Sequence, residues 1–538
     1  MVRPPSRAGA LVGGNNGIPY DAADFYSDHM AGWWPYLTSP DGALNSYRDT
    51  IVARVRDIVR NDGWASGTIT RILDSAVGAN FRPISKPDFS ALASYSGIRA
   101  FDESWAYEYG RWLDAAYRSF ALRRGRWNDL SRKLTLPQQY RLGFRHKLVD
   151  GDALAMLHWR PDRIGPGRSH YATTLQIIDP DRLSNPVNAM DQRYMRGGVE
   201  LDQNDDGIAV AYHIRRAHQN DVWAGADSMA WDRIPRETDW GRPIIVHDYD
   251  HEQAAAHRGG AGILAPVLHR LRMLFQYDVA ELDASLLNAI FSAYIESPFD
   301  QEFVEGALNG ADALNAYQAE RAEYHRQNKL KAPGTGASMT KLFPGEKLGQ
   351  VTTARPNANF KEFEAAVLRN VASAAGVSTQ QVTNNWSDVN YSSHQGALQE
   401  FFKTLSRRRD DYANGFCQPI REAFVEEAMD LDDPPLPVGA PEFFECADAY
   451  ARAKWIGPPR GWTNPVDEVK GAVLGMDAAL MDYEELCAEQ GLDAADMIAA
   501  RKHTIRRFEE AGIPLPTWSG MNPQGEPANR TIKDPEAT

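Results

Sequence analysis

The chain has 538 residues, a hydrophobic content of 43% and a formal net charge of −14. This length and apolar content argue against a disordered protein and predict two to four substructures. The acidic balance argues against a protein that holds nucleic acid tightly by neutralising phosphates, although it allows one past which DNA slides. Three cysteines without CxxC spacing, no apolar signal sequence and no apolar run of 18 residues predict a soluble protein made in a reducing cytoplasm.

The first part of the chain is predicted to be an arm followed by helices. Residues 1–43 are rich in Gly, Pro and small polar residues, which is typical of a loosely packed extension. Apolar residues at helical spacing predict helices over 44–61 and 64–77, and a helical pair over about 102–149.

The hydrophobic period then changes from that of a helix to that of a strand. Short β-type segments are separated by Gly, Pro and Asn-Asp turns. They predict a β-rich module over about 150–250, with strands at 153–160, 173–179, 198–202, 208–214 and 242–248.

Helical spacing returns after this module. The pattern predicts a helix from 266 to about 297, a polar helix near 311–330, a short strand within 342–353 and a helix over 359–376. Near the end of the chain, a smaller helical region over 466–513 precedes a polar tail.

The segment from 377 to 430 combines a polar loop with a long helix. The loop is predicted over 377–392 and carries Trp386, and an ordinary surface connection would explain it. A loop held between two helices could instead project into a space that an assembly encloses. The helix that follows is predicted over about 393–430 and would be a strut. One apolar stripe along roughly 40 Å of it is made of Leu398, Phe401, Phe402, Leu405, Tyr412, Phe416, Ile420 and Phe424.

Three stretches have partial signatures of metal or phosphate sites. DQNDDG at 202–207 begins like a calcium loop, but His213 stands where the twelfth-position Glu is required, which favours a β-turn. In GTGASMTK at 334–341, Thr340 replaces the glycine that precedes the lysine of a phosphate loop.

The third stretch, HEQAAAH at 251–257, has its two histidines six residues apart, so they would face away from each other on a helix. A loop metal site of a hydrolase could still form from His247, Asp248, Asp250 and His251, and a polar strand end is the alternative interpretation.

A basic stretch over 111–147 is the best candidate for nucleic-acid binding. It carries ten Lys or Arg residues interleaved with Trp112, Tyr117, Phe120 and Trp127, a pattern that can clamp phosphates and stack on bases. The alternative is a solvated helix face whose arginines pair with carboxylates of this chain or of a neighbouring subunit.

Taken together, motifs in the same order along the chain resemble those of the lambda-type portal proteins of tailed bacteriophages. Matching segments span about 44–510, whereas 298–340 follows no family pattern and Gln395 stands where many relatives carry Arg. The segments that carry the resemblance are 54–83, 150–160, 175–186, 197–214, 257–285, 342–377, 389–401 and 455–469.

The resemblance implies an α+β portal fold with an α/β wing, a two-helix stem, a small α/β clip and a helical C-terminal crown. The implied division is an arm at 1–43, a wing at 44–265 and 393–455, stem helices at 266–297 and 358–377, a clip at 298–357, a tunnel loop at 378–392, a crown at 456–513 and a tail at 514–538.

The resemblance also implies a non-enzymatic function without metal or cofactor. The chain would form a ring, expected to hold twelve subunits, at one capsid vertex of the virion, as a channel for DNA packaging and ejection. Its implied partners are copies of itself, the major capsid protein, the terminase large subunit, head-completion or tail-connector proteins and, transiently, double-stranded DNA, and no membrane is expected.

Two sets of residues are predicted to serve this function. The tunnel loop is expected to line the narrowest part of the bore with Asn384, Asn385, Trp386, Asp388 and Asn390. The triple arginine of the long helix, Arg407, Arg408 and Arg409, is expected to make ion pairs between subunits rather than contacts with DNA.

Overall fold

The structure is a computed structural model that combines helices with small antiparallel sheets, as the predicted α+β class requires. It describes residues 30, 32–204, 207–290, 293–296, 311–327, 329–331, 338–340, 347–350, 360–386, 391–461 and 464–515.

The amino-terminal helices confirm the predicted helical spacing. Asp62 separates the first two helices, and its carboxylate accepts a hydrogen bond from the Ala65 N–H at 2.8 Å, which caps the second. The first helix begins four residues before the predicted start because Ser39 caps it and Pro40 opens it. The bounds of this region are α1 Pro40–Asn61, α2 Gly63–Ala76, β1 Arg82–Ser85, α3 Phe89–Ser96, α4 Glu103–Ala121 and α5 Leu136–Asp150.

The predicted β-rich module forms two antiparallel sheets. One has the strand order β3-β2-β8 and the other β4-β5-β6-β7. All five predicted strands are present, although β8 begins at Ile245 instead of residue 242 because Pro243 precedes it and cannot donate to a ladder. The strands are β2 Asp152–Trp159, β3 Thr173–Ile178, β4 Met195–Arg196, β5 Val199–Leu201, β6 Ala209–Arg215, β7 Trp231–Pro235 and β8 Ile245–Tyr249.

The junction between α5 and β2 requires glycine. Gly151 has φ +90°, and a Cβ at this position would lie 1.5 Å from the carbonyl oxygen of Gly260. The turn at 257–262 therefore packs backbone against backbone on the start of β2.

The middle of the chain departs from the prediction at two places. One is the strand pair at 329–331 and 338–340, which the sequence analysis did not predict, and the other is the end of the first helix. The helix predicted to reach 297 ends at Ile290, and residues 293–296 form a strand because they pair with 347–350, more than 50 residues away. The elements are α6 Leu268–Ile290, β9 Ala293–Glu296, α7 Ala311–Gln327, β10 Lys329–Lys331, β11 Ser338–Thr340, β12 Lys347–Gln350 and α8 Phe360–Ala375, with β10 paired to β11.

The predicted strut is present as two helices joined by a π-helical turn at Ala413–Cys417. Pro419 follows this turn and has no N–H to donate to it, so the widened geometry avoids a missing ladder bond. The remaining elements are α9 Thr379–Thr383, α10 Tyr391–Tyr412, α11 Gln418–Leu431, α12 Ala447–Ala451, β13 Ala453–Ile456, α13 Pro465–Asp477, α14 Tyr483–Glu489 and α15 Ala494–Glu510.

The strut runs through the main hydrophobic core. The Tyr412 hydroxyl donates to the Tyr140 carbonyl at 2.7 Å, and the Phe424 ring stacks on Phe120 with centroids 4.7 Å apart. Strand β13 pairs with β1, which brings the C-terminal motif against the end of α2. In the parts of the chain described here, no helix is long and apolar enough to cross a membrane. The assignment of these elements to wing, stem, clip and crown stays a prediction.

Candidate channel loop and its anchors

The predicted tunnel loop begins with a short helix. Sequence analysis predicts a loop over all of 377–392, and this is wrong at two places. Helix α9 forms within it because Ser378 and Gln381 make a capping box, and α10 already begins at Tyr391. Asn384 ends α9 in the left-handed conformation, with φ 55°, and its N–H donates to the Gln380 carbonyl at 2.7 Å.

Of the five residues predicted to line the bore, three lie in the described structure. Asn384, Asn385 and Trp386 are all exposed, and Trp386 shows 40% of its surface. Asp388 and Asn390 lie outside the described residues. The exposure of the first three is what a channel-facing loop requires, and their role stays a prediction.

The base of the loop is fixed by packing. Val382 of α9 is buried, with 1% of its surface exposed, in a cluster formed with α6 and α8. The two predicted stem helices also contact each other through Tyr277, whose ring lies 5.4 Å from Phe360 and 5.3 Å from Phe363. The loop therefore emerges from the α6–α8 pair and not from an independent surface segment. The remaining members of the Val382 cluster are Leu274, Val367, Leu368 and Ala372.

A residue that sequence reasoning missed also holds α9. The Arg71 guanidinium of α2 donates to the carbonyl oxygens of Gln381 and, at 2.7 Å, of Val382. These are carbonyls at the carboxyl end of α9, where helices carry partial negative charge and lack internal donors. In the sequence, the one sign of this role is that the cation Arg71 lies near the middle of α2 beside the apolar residues Ile69 and Ile72, which are buried in the structure.

The triple arginine divides into two functions. Arg408 donates to the Ala375 carbonyl at 2.9 Å and Arg409 to the Ala76 carbonyl at 3.0 Å, so they cap the ends of α8 and α2. Burial lowers the pKa of both arginines. Arg407 is exposed and pairs with Asp411 at 3.0 Å, one helical turn away. The predicted contacts between subunits stay untested, and Arg407 is the member of the triplet with the most accessible side chain.

A buried ion cluster joins α1 to the sheets. The Asp152 carboxylate, which is fully buried, accepts hydrogen bonds from Arg48 at 2.6 Å, from Arg258 at 2.8 and 3.1 Å and from the Gly259 N–H at 2.6 Å. Burial alone would raise the pKa of Asp152, but the two guanidinium charges hold it well below its usual range. The cluster thus ties the segment at 257–259 to α1 and to β2.

A second carboxylate extends this cluster. Asp150 accepts from Arg56 at 2.7 and 2.9 Å and lies 2.7 Å from the His146 ring nitrogen. Arg56 also donates to Asp181 at 2.9 Å. Burial would raise the pKa of Asp150, and its hydrogen bonds from His146 and Arg56 lower it instead. One network therefore joins four segments that are distant in sequence: α1, residues 146–152, Asp181 and the segment at 257–259.

Sequence reasoning missed Arg48, although a signal existed. Arg48 falls on the same helical stripe as the buried Val52, Val55 and Val59 of α1. A cation in the apolar stripe of a helix predicts a buried partner, because an isolated charge is too costly to bury.

Of the residues of the hypothetical metal site, Asp248 and Asp250 pair with Lys147, and the His251 ring packs against Tyr249. The His247 ring nitrogen lies 3.3 Å from the Asp152 carboxylate, and the Asp248 carboxylate accepts from Lys147 at 2.8 Å. His257, at the other end of the segment, pairs with Asp41 at 2.7 Å. Burial lowers the pKa of His247 and outweighs the attraction of Asp152. Among the described residues, no three His, Cys, Asp or Glu side chains come together as a metal-binding group.

The aromatic residues of the basic stretch belong largely to the core. Tyr117 and Phe120 are buried, and the Trp127 ring is covered by Arg132, whose guanidinium carbon lies 3.7 Å from the ring centroid. Lys147 is buried against Asp248. The structure therefore does not bring these rings and cations together as a stacking platform for bases, and it favours the solvated-face interpretation.

The comparisons with known proteins cover most of the chain. The family model of phage portal protein, lambda family, matches residues 26–409. The portal protein of Escherichia phage N15 and portal protein B of Escherichia phage lambda are each 28% identical over 501 residues; the alignments cover 92% of this chain and 91% and 90% of those proteins. The probable portal protein of Halomonas phage phiHAP-1 is 25% identical over 392 residues, which covers 69% of this chain and 68% of that protein.

Solved structures align at low identity. The neck of the empty GTA particle, computed with C6 symmetry, gives a TM-score of 0.42 at 12% identity, covering 81% of this chain and 93% of that one. The virion of the native gene transfer agent particle gives 0.39 at 15% identity, with 79% and 99% covered. Since the family model matches well over half of the sequence, this chain belongs to the lambda family of phage portal proteins.

Proposed function

We propose that copies of this chain form a ring of twelve at one capsid vertex, and that the ring encloses the channel through which DNA is packaged and ejected. Membership of the portal family supports this function for the chain as a whole. One structural observation supports the ring in particular, and it lies on α6.

The observation that supports the ring is an apolar face of α6 that the described residues leave exposed. Phe275, Val279, Leu282 and Leu286 succeed one another at helical spacing and are 41%, 42%, 65% and 61% exposed. A contiguous apolar face of this kind marks an interaction surface. If a different surface of a neighbouring copy covers it, the contact is head-to-tail, and such contacts form a ring when the rotation from copy to copy closes.

The acidic character of the chain fits passage of DNA. Each subunit carries a formal charge of −14, so the ring as a whole does not attract phosphates, and DNA would slide instead of binding tightly. A separate terminase, through its large subunit, would drive the DNA inward. The major capsid protein would surround the ring, and head-completion or tail-connector proteins would later dock on it.

The tunnel loop is proposed to line the narrowest part of the bore. Asn384, Asn385 and Trp386 are exposed at the end of α9, and Asp388 and Asn390 follow in the sequence. Their amides and the indole can contact a duplex without fixing it, because they carry no positive charge.

Imaging of the purified protein tests the ring. Negative-stain images and native mass measurement should reveal annular particles with a central hole and a mass of about twelve subunits. A lone subunit under all conditions of salt, pH and concentration would contradict the proposal.

A deletion tests the loop separately. Removal of 383–390 should leave rings intact but reduce DNA packaging or the retention of packaged DNA. A deletion of equal length over the exposed segment Val222–Met229 serves as the control. Normal packaging and retention with the loop removed would refute the loop assignment while leaving the ring unaffected.

A further inference from the structure

We propose that Arg71, Arg408 and Arg409 form a clamp that ties the base of the tunnel loop to α2 and α10, so that the loop cannot shift without moving the wing. The importance of the clamp for DNA rests on the proposed function, but its mechanical claim concerns only contacts within this chain.

The three arginines connect helix ends in a continuous path. Arg409 joins α10 to the end of α2, Arg408 joins α10 to the end of α8, and Arg71 joins α2 to the end of α9. Two of these contacts join residues more than 300 positions apart in the sequence. Helix α8 leads into the tunnel loop, α9 forms its first part and α10 leads out of it, so both sides of the loop belong to the path.

The chemistry of these contacts favours positioning over charge neutralisation. Each guanidinium donates to backbone carbonyls, which the last turn of a helix leaves without internal partners. Arg71 reaches two consecutive carbonyls, and Arg409 approaches Ser75 at 3.5 Å as well as Ala76. A planar guanidinium can bridge neighbouring acceptors in this way, whereas a lysine ammonium acts as a single point charge.

Gly457, in the C-terminal motif, leaves room for the side chain of Arg409. A Cβ added to Gly457 would lie 2.6 Å from the Arg409 guanidinium carbon and 2.9 Å from the Ala76 carbonyl oxygen. Gly457 follows β13 directly, and β13 is held to β1. The motif at 455–469 therefore contributes the space through which Arg409 reaches α2.

Hydrogen exchange measures the clamp without reference to DNA. In the full-length protein, Arg71→Gln should accelerate amide exchange over 378–386 by about tenfold or more, because charged hydrogen bonds to the end of α9 are lost. The Asn384 amide, bonded to Gln380, is the most direct reporter. Arg71→Lys should restore part of the protection, and Arg407→Gln, at the exposed member of the triplet, is the matched control with no effect on this segment.

A distant substitution tests whether the three contacts act as one unit. Arg409 donates to the end of α2, and it is Arg71 of α2 that holds α9. In a coupled clamp, Arg409→Gln loosens α2 and should therefore also accelerate amide exchange over 378–386. In a common clamp, the Arg71→Gln and Arg409→Gln effects should also combine less than multiplicatively in the double variant.

The outcomes separate the clamp from the proposed function. Unchanged exchange over 378–386 in Arg71→Gln would overturn the clamp, and an Arg409→Gln effect confined to the end of α2 would overturn its coupling. Both exchange measurements can be made on unassembled subunits. A failure to form rings, or a loop deletion without effect on DNA, would contradict the proposed function, and neither result would change the expected exchange rates.

Discussion

Replacement of Asp152 by Asn tests whether the buried ion cluster holds α1, β2 and the segment at 257–259 together. The Oδ2 atom accepts from one nitrogen of Arg48 and two of Arg258, while Oδ1 accepts from the Gly259 N–H. An asparagine amide has one acceptor and one donor group, so either orientation sets its N–H₂ against donors. Two buried guanidinium groups would also lose their counter-charge.

The expected loss of stability follows from this geometry. Arg48 and Asp152 are almost fully buried, and breaking a buried pair by removing one partner typically costs about 3–5 kcal/mol. We expect the free energy of unfolding of the subunit to fall by about this amount. The matched control is Asp162→Asn, because Asp162 pairs with Arg160 at 2.8 Å in an exposed position, and its loss should leave stability unchanged within error.

Urea denaturation of unassembled subunits, followed by tryptophan fluorescence, measures the difference. Urea is uncharged and does not screen ion pairs, and repetition in high salt should leave the Asp152→Asn deficit intact because buried charges are poorly screened. A deficit below about 1 kcal/mol, or one that disappears in high salt, would refute the reasoning.

The direction of the Asp152 pKa shift predicts how the stability deficit of Asp152→Asn depends on pH. The pKa of Asp152 in the folded chain lies below its ordinary value of 3.8, so the carboxylate stabilises the fold fully above that pH. The contribution is lost only as the pH falls further, through the folded-state pKa. The deficit of Asp152→Asn should therefore be equal at pH 7 and pH 5, and a deficit that shrinks at pH 5 would show that the pKa is raised instead.

Two further substitutions test the subunit contact and the space around Arg409. Leu282→Asp on the exposed face of α6 should strongly reduce the assembled fraction in native mass measurements while leaving the subunit folded, whereas Val438→Asp, at a fully exposed residue after α11, should assemble normally. Gly457→Ala should lower the unfolding free energy by about 1–3 kcal/mol, because the new Cβ would overlap Arg409. Gly471→Ala is the control and should not lower it, because a Cβ there meets nothing within 4 Å. Equal effects of the two substitutions would remove the steric explanation.

The parts of the fold that could be predicted from the sequence are those with local signals. The apolar stripes of α1, α2 and the strut and the strand periods of the β-rich module identify these elements directly. The pairs β1–β13 and β9–β12 escaped prediction because each joins strands that are short and far apart in the chain. Each of these strands is stabilised by hydrogen bonds to its distant partner, and the residue pattern within the strand does not reveal that partner.

The candidate site divides in the same way. Helix α9 could have been predicted, because Ser378 and Gln381 have the spacing of a capping box. The partners of Arg408 and Arg409 could not, because a run of three arginines has the same appearance whether it faces solvent, a neighbouring subunit or the ends of two helices. Only the placement of α2 and α8 distinguishes these possibilities.

The motifs that carry the family resemblance meet at joints of the fold. The segments around 150–152 and 257–260 contact each other through Gly151 and Gly260, whose approach leaves no space for a side chain, and the ion pairs of Asp152 with Arg258 join the same two segments. The C-terminal motif meets the end of α2 in the same manner, at Gly457. Charged side chains and glycines at these places hold helices and sheets at fixed positions. A subunit that keeps a bore open under the passage of DNA, as proposed, needs such rigid joints, which gives a mechanical reason for the family motifs to lie where helices and sheets meet.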